Sequence, residues 1–469
     1  MQPPTRPNSL LAFAAACALT SSLSSSLAAQ WNETTPASSP SARATHGMAY
    51  DPINSTTLVF GGDTFGFPVG ASDETWSYDG STWSQLLPAV SPPPSVGIRM
   101  VYDQLRGVFV TYGSIATSFF GGPSADRTWE FDGTTWTEAF PINTPGGLGH
   151  YGMSYDSARN VTVLYGGLPN SSFPIDSNQT WEWNGIDWTQ VMPATNPGPI
   201  ERPGMCFHDA LGVTVLFGGI DVQSGGNDET WLYDGTDWSI APITGARPTV
   251  RTGCRLAYDS ARSVVVMTGG QDPTNGTPFG DTWELDLVAN AWTQVPSSYT
   301  DDRLDPGLVF DAARRQVVMF GGANLMTFSA FGDTWEHGAR SEQFGAGCAG
   351  SNGVPAHDAQ DAPRLGQSYT LEVDNLNTAI NLGVFAISTN AIAPTPLDGI
   401  GMVGCTGFAA PDVLLSSTGA AGSTTVSLTL PSNIALLGAE VFSQALSFDP
   451  GVNALGLAAS NGHRGVLGF

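Results

Sequence analysis

The sequence predicts an all-β protein, in which a six-bladed β-propeller closed by an N-terminal outer strand precedes a small β-sandwich domain. Two observations carry this prediction. A phrase of strand-forming residues recurs six times at intervals of 50 to 53 residues, which is the length expected for a four-stranded blade. The chain also holds 56 Gly and 33 Pro among its 469 residues, a composition that opposes long helices and favours turns.

Each repeat divides into four strands. The first contains an aromatic residue beside an Asp that is predicted to bond its own hairpin backbone, and the second is an apolar run that ends in Gly-Gly. The third carries a Thr-Trp pair, and the fourth follows a tight Asp-Gly or Asn-Gly turn. In the second repeat Tyr112-Gly113-Ser114 replaces the Gly pair, so we expect a reshaped loop there. The first-strand aromatics are Tyr50, Tyr102, Tyr155, Phe207, Tyr258 and Phe310.

The ends of the repeat array predict how the ring closes. The sixth repeat has the Thr-Trp residue Trp335 but no second Trp, because the chain leaves through His337. Trp31 stands alone near the start, 52 residues before Trp83, the second Trp of the first repeat. We therefore expect the segment around Trp31 to be the outer strand of the last blade, where it protects an open sheet edge.

The repeated phrase resembles the kelch repeat, and the resemblance covers residues 31–337. It implies a propeller with the architecture of the galactose-oxidase-like central domain, which we assign to residues 30–340. Residues 341–469 contain no Trp and alternate in the manner of sandwich strands. Their phrases around Cys348, Leu397 and Cys405 resemble a C-terminal module of secreted proteins from planctomycete-type bacteria.

The first 29 residues have the pattern of a signal peptide, with Arg6, an apolar stretch and small residues near Ala28. No later segment is apolar enough to cross a membrane, so we expect a secreted protein, extracellular or periplasmic. In that compartment Cys348 and Cys405 are predicted to form a disulfide. Cys206 and Cys254 are predicted to be buried thiols, with a bridge between them as the alternative.

Composition and motifs also limit the function. The formal net charge is −25, and the 17 basic residues are all Arg, which excludes nucleic acid as a partner. Copper oxidases that resemble galactose oxidase need two His, two Tyr and a cross-linked Cys, and the propeller's four His and two Cys match no such arrangement. The segment 77–83 resembles a sialidase Asp-box that is one residue short, and a blade hairpin explains it better. We predict no catalytic residue, metal ligand or cofactor.

The remaining candidates for a site are basic residues at the starts of the first strands. The loops between blades and the loops between second and third strands open on one face, so these residues would gather around one propeller mouth. Arg suits carboxylate or sulfate groups, although in the alternative interpretation it anchors the loop. The set is Arg43, His46, Arg99, His150, Arg202, Arg251, Arg255 and Arg303.

The sequence therefore predicts a monomeric, secreted binding or adhesion protein with a glycan or protein ligand on one propeller face. The rival hypothesis is an extracellular carbohydrate-active enzyme, galactose-oxidase-like or sialidase-like, on the same scaffold, because propellers host both kinds of function.

Overall fold

The computed structural model describes residues 31–466 with gaps, the longest of which are 66–69, 116–123, 170–175, 296–300, 398–405, 432–438 and 453–456. The predicted signal peptide (1–29) and Cys405 lie outside the described residues. Within the described part of the chain all regular elements are β-strands. No helix there is long and apolar enough to cross a membrane.

Six four-stranded antiparallel sheets follow one another along residues 31–337, and we number them 1 to 6 in chain order. Sheets 1 to 3 consist of Gly47–Asp51, Thr56–Phe60, Thr75–Tyr78 and Trp83–Leu86; Met100–Asp103, Val108–Ile115, Ser124–Phe131 and Trp136–Ala139; and Gly152–Asp156, Val161–Tyr165, Thr180–Trp183 and Trp188–Val191. Sheets 4 to 6 consist of Gly204–His208, Val213–Phe217, Thr230–Tyr233 and Trp238–Ile240; Thr252–Asp259, Val264–Gln271, Thr282–Asp286 and Ala291–Val295; and Gly307–Asp311, Gln316–Phe320, Thr334–His337 and Trp31–Thr34.

The outer strand of sheet 6 comes from the other end of the array, as predicted. Trp31–Thr34 pairs antiparallel with Thr334–His337, and Trp31 lies opposite His337. The first strand of each sheet contacts the first strand of the next sheet, and that of sheet 6 contacts that of sheet 1. Sheet 2 contains the expected irregularity, because its second and third strands shift register between Tyr112 and Ser114.

The second Trp of each repeat links two sheets. Its indole N–H donates to the hydroxyl of the Thr-Trp threonine in the preceding sheet, at 2.8 to 3.0 Å in all six cases. Trp31 of sheet 6 takes part by bonding Thr282 of sheet 5, and Trp83 of sheet 1 bonds Thr334 of sheet 6. The two residue types recur together because a buried indole N–H needs an acceptor.

The Gly pairs are required by close contact between sheets. Gly321 and Gly322 have φ angles of 66° and 103°, which favour glycine. A Cβ on Gly321 would lie 2.4 Å from the carbonyl oxygen of Arg43 in the neighbouring repeat. The Gly322 N–H donates to that same carbonyl at 2.9 Å. The pair therefore lets a loop of one repeat dock on the backbone of the next.

The Asp of the first hairpin acts as the sequence predicts, and the Arg three residues later does more. Asp156 Oδ1 accepts the backbone N–H groups of Ala158 and Arg159 at 3.0 and 2.9 Å. The Arg159 guanidinium joins Asp156 to Glu182, both at 2.7 Å, and its carbon lies 5.5 Å from the ring centre of Tyr233 in sheet 4. The Asp-Arg step thus links the hairpin to two sheets.

Residues 340–466 form further antiparallel sheets. The five-stranded sheet has the order Arg340–Phe344, Leu457–Val466, Glu440–Phe448, Leu382–Ser388, Val413–Thr418, and the three-stranded sheet has the order Ala356–Ala359, Ser368–Asp374, Thr424–Thr429. Ala391–Pro396 pairs with Thr406–Ala409. Leu371 of the three-stranded sheet and Phe385 of the five-stranded sheet are fully buried in one core. The two sheets therefore share their apolar faces.

Cys206, Cys254 and Cys348 lie among the described residues. Cys206 and Cys254 are buried free thiols, as predicted. Cys348 is also buried, and its sulfur accepts the backbone N–H of Ala459 at 3.2 Å. Because Cys405 is outside the described residues, the Cys348–Cys405 disulfide stays a prediction.

A buried histidine joins the two C-terminal sheets. The Nδ1–H of His357 donates to the Glu372 carbonyl at 2.9 Å, which leaves Nε2 to accept the Ser443 hydroxyl at 2.8 Å. His463 lies beside it, with ring centres 5.6 Å apart. Burial lowers the pKa of His357 to about 4. The neutral ring is therefore the form that fits this site.

The C-terminal region should consequently lose stability in acid. The unfolded chain binds a proton at His357 near pH 6.5, whereas the folded chain binds it only near pH 4. Stability is complete above pH 6.5 and falls by up to about 3 kcal/mol as the pH drops to 4. Hydrogen exchange of peptides 356–374 and 440–448 in the full chain measures this loss. His357→Gln, which can make both hydrogen bonds without titrating, should flatten the dependence; an unchanged slope would contradict the assignment.

Candidate functional site

Six residues at or just before the starts of the first strands form a ring of backbone hydrogen bonds, which we call the backbone ring. Each N–H donates to the carbonyl of the equivalent residue in the preceding repeat, and Thr45 completes the cycle by donating to Asp305. The distances are 2.6 to 3.2 Å. All six residues have φ between 51° and 72°. They are Thr45, Gly97, His150, Arg202, Gly253 and Asp305.

Four members of the backbone ring keep side chains in a conformation that favours glycine. A left-handed non-glycine residue is uncommon, and for a β-branched residue such as Thr45 it is an outlier. Such conformations cost about 1 kcal/mol or more each and cluster at functional sites. The cost here is offset by the hydrogen bond that each residue contributes to the ring. This strain is the first sign that the centre of the molecule carries a function.

The side chains around the ring alternate with glycine in a regular way. Where the ring residue is Gly, as in repeats 2 and 5, the residue two positions later is Arg99 or Arg255. Where the ring residue has a side chain, the residue two positions later is Gly. A Cβ on one of these, Gly307, would lie 2.3 Å from the Met48 sulfur and 2.5 Å from the His46 ring. Each repeat therefore has a side chain at only one of these two positions, and glycine at the other.

Asp305 is the centre of the resulting charge cluster. Its Oδ1 pairs with Arg255 at 2.5 Å and with Arg99 at 3.4 Å, and its Oδ2 lies 3.6 Å from Arg202. Burial would raise the pKa of Asp305, but the guanidinium groups of Arg255, Arg202 and Arg99 outweigh it and hold that pKa well below its usual range. Burial and the nearby Arg255 lower the pKa of Arg99 to about 9, so it stays charged at neutral pH.

Two predicted histidines lie in the same cluster. Burial, together with nearby arginines, lowers the pKa of His46 and His150 well below 6.5, so both rings are neutral at physiological pH. The His150 Nε2 is 3.4 Å from an Arg202 nitrogen. Neither ring nitrogen of His46 has a hydrogen-bond partner among the described residues. The local field is positive, which favours an anion over a metal cation.

A cavity of about 300 Å³ extends from this cluster along the first strands of all six sheets. His46, Arg99 and Arg255 line one end, which we call the floor. The other end, the mouth, is lined by exposed residues of the first hairpins: Pro52, Gln104, Asp209, Ser260 and Ala312. Between them lie a middle layer, Met48, Met100, Met153, Met205, Leu256 and Leu308, and an aromatic collar, Tyr50, Tyr102, Tyr155, Phe207, Tyr258 and Phe310.

Contacts between sheets hold the aromatic collar in place. The Tyr155 hydroxyl accepts the Leu105 N–H of the preceding sheet at 3.3 Å, and the Tyr50 hydroxyl accepts the Ala313 N–H of sheet 6 at 3.2 Å. Burial and a hydrogen bond to Asp103 raise the pKa of Tyr155 to about 12, so it is a neutral phenol. These contacts explain why tyrosine suits this position in repeats 1 and 3.

The other predicted site residues lie outside this cavity and anchor loops. Arg43, Arg251 and Arg303 are fully buried. Arg303 pairs with Asp333 at 2.7 Å, bonds the Gly321 carbonyl at 3.0 Å, and stacks on Phe331 at 4.1 Å. Arg251 repeats this arrangement with Asp281 and Phe279, and Arg43 pairs with Glu74. Arg43, Arg251 and Arg303 do not line the cavity, so we leave these three arginines out of the proposed site.

The structure thus divides the predicted set in two. His46, Arg99, His150, Arg202 and Arg255 gather around Asp305, and the cavity beside them opens toward the first hairpins rather than toward the loops between sheets. Sequence reasoning missed Asp305 because only basic residues were collected. Aligning the six repeats on Thr45 and its equivalents would have revealed both Asp305 and the exchange of Gly with Arg.

Nothing in the described part of the chain groups three His, Cys, Asp or Glu residues around a common metal position. Burial raises the pKa of the Cys206 thiol beside the cavity, which keeps it protonated and unreactive. His208 packs on Tyr258 with ring centres 4.2 Å apart, and His337 packs on Trp31 at 5.0 Å. His208 and His337 therefore lie apart from the cluster that holds His46 and His150.

No family model matches the sequence. The fold is similar to the solved structure of YjhT, a kelch-like β-propeller protein. The match covers 64% of this chain and 95% of YjhT with a TM-score of 0.51, and the sequences are 10% identical. At that identity the likeness concerns the fold, which is an all-β, propeller-like arrangement of antiparallel sheets.

Proposed function

We propose that the chain is a secreted, kelch-type binding protein that holds a carboxylate-bearing ligand in the cavity beside Asp305. In this proposal residues 30–340 are a closed six-bladed propeller and residues 341–469 a β-sandwich module. The closed ring of backbone hydrogen bonds and the six Trp–Thr links support the closure. Export rests on the pattern of residues 1–29, and the disulfide proposed between Cys348 and Cys405 follows from export.

One observation carries the ligand class. Arg99 and Arg255 both line the cavity floor, and both direct a nitrogen to the same oxygen of Asp305. Buried charges are stable when each has a partner, so two guanidinium groups that share one carboxylate oxygen favour a second anion. Arg binds carboxylates through two parallel N–H groups. A glycan would meet this need with a uronic acid, and a protein ligand with an acidic side chain.

The geometry favours binding over catalysis. Asp305 is held as a paired anion, because its pKa lies well below the usual range, and an acid-base catalyst needs a pKa near the working pH. The floor can therefore recognise charge without exchanging protons. We propose no reaction.

The test is calorimetric titration of the full chain with glucuronate, acetate and octanoate at low and moderate salt. We expect salt-sensitive binding of carboxylates, and Arg255→Met should weaken it ~10- to 100-fold. Because Arg99 and Arg202 still pair with Asp305, this variant should fold with an undiminished melting temperature. Arg247→Met is the matched control, since Arg247 is half exposed and pairs with Asp228 at the surface. Absence of binding by every carboxylate would refute the proposal.

A further inference from the structure

The side chains of the middle layer indicate the chemistry of the ligand's body, which is the part that would lie between its charged head at the floor and the mouth of the cavity. Six long apolar side chains, one from each first strand, stand between the charged floor and the aromatic collar. Four are methionines, Met48, Met100, Met153 and Met205. Methionine adapts to irregular apolar and aromatic surfaces because it is unbranched and polarisable. A ligand whose head reaches the floor must lay its body against this layer.

The side chains of this layer offer few partners for a polar body. Ser154 and the Cys206 thiol are the polar side chains that line the cavity at this level. Ser154 lies 3.3 Å from the Thr214 hydroxyl, so its hydrogen-bonding capacity is already shared. The other polar groups of the wall belong to the edges of the first strands. Each hydroxyl of a sugar that lost water here without a partner would weaken binding.

The entrance carries apolar residues beside the polar Gln104, Asp209 and Ser260. Ile53 and Leu105 are 67% and 69% exposed, and they follow the mouth residues Pro52 and Gln104 on neighbouring hairpins. Scattered apolar residues on a surface are ordinary, but these two adjoin an aromatic collar that leads to the apolar layer. The aromatic collar and the apolar layer therefore lie between a mixed entrance and a cationic floor.

We propose that the ligand is an amphipathic carboxylate, with a linear or aromatic hydrocarbon body, that enters head-first from the hairpin face. The carboxylate lies between Arg99 and Arg255, and the body packs on the methionines. The cavity has the volume of about ten water molecules, so it suits a ligand of roughly ten non-hydrogen atoms, such as octanoate or cinnamate. This inference rests on the proposed function and deepens it.

Calorimetry of the full chain with acetate, butyrate, hexanoate, octanoate, octanol and glucuronate tests the inference. Affinity should rise about fourfold per methylene up to octanoate, and octanol and glucuronate should bind at least ~10-fold more weakly than octanoate. If octanol bound as tightly as octanoate, the proposed role of the carboxylate head would be overturned. Glucuronate binding that matches or exceeds octanoate would overturn the apolar body and leave the proposed function standing. No binding by any carboxylate would overturn both.

Two variants test the layer itself. Met100→Gln and Met205→Gln keep the side-chain length but place an amide in the wall, so each should weaken octanoate binding ~10-fold more than acetate binding. Met326→Gln is the matched control, because Met326 is 67% exposed. Acetate binding by each variant shows that its floor is intact. Unchanged octanoate binding in a variant that still binds acetate would contradict the placement of the body.

Discussion

Asp305→Asn is expected to lower the free energy of unfolding by about 3–5 kcal/mol. The substitution leaves Arg99, Arg202 and Arg255 without the carboxylate that they share. Asp305 has a φ of 51°, and asparagine tolerates that conformation. The lost free energy of unfolding should therefore reflect the charge cluster and not backbone strain. Denaturant unfolding followed by Trp fluorescence measures it, because all 13 Trp lie within residues 31–335.

Two comparisons separate the cluster from a general effect of removing a carboxylate. Asp301→Asn removes a half-exposed partner 3.8 Å from Arg303 and should cost less than about 1 kcal/mol. Asp305→Asn combined with Arg255→Met removes one charge of each sign, so it should recover part of the lost stability, although Arg99 and Arg202 still lack the carboxylate. Equal costs for Asp301→Asn and Asp305→Asn, or no recovery in the double variant, would show that Asp305 does not hold the cluster.

The repeat could be read from the sequence because each of its recurring residues makes a recurring contact. The second Trp recurs with Thr because one bonds the other across sheets, and Gly321 recurs because a Cβ would strike the next repeat. Trp31 could be assigned to sheet 6 for the same reason. These are local requirements, repeated six times, and such requirements leave a periodic signal.

The site leaves a weaker signal because it breaks the repeat. Arg303 and Arg255 both stand near the start of a first strand, yet one anchors a loop and the other lines the cavity. They differ in position relative to the backbone ring, two residues before it or two after it. The left-handed turn between these positions decides where each side chain points. Sequence patterns did not reveal that turn, because Thr45 and Asp305 occupy positions where glycine would be expected.

Trp31→Ala is the other substitution with a large expected effect, and it tests closure. Trp31 is 1% exposed, and its indole bonds Thr282 at 2.8 Å. Removing a buried Trp side chain costs about 3–5 kcal/mol. Here the strand is four residues long and comes from the far end of the array. Its loss should also expose the edge of Thr334–His337, an open template for pairing with other chains.

Trp83→Ala is the matched control, because Trp83 occupies the equivalent position in sheet 1 and bonds Thr334 at 2.9 Å. Its strand is continuous with its own sheet and with sheet 2, so the chain keeps it in place. Both variants should lose stability, but hydrogen exchange at 334–337 should become fast in Trp31→Ala well below its unfolding midpoint. In Trp83→Ala the sheets should lose protection together. If the two variants have the same hydrogen-exchange profile, the N-terminal strand behaves like any other outer strand and closure of the ring does not depend on it.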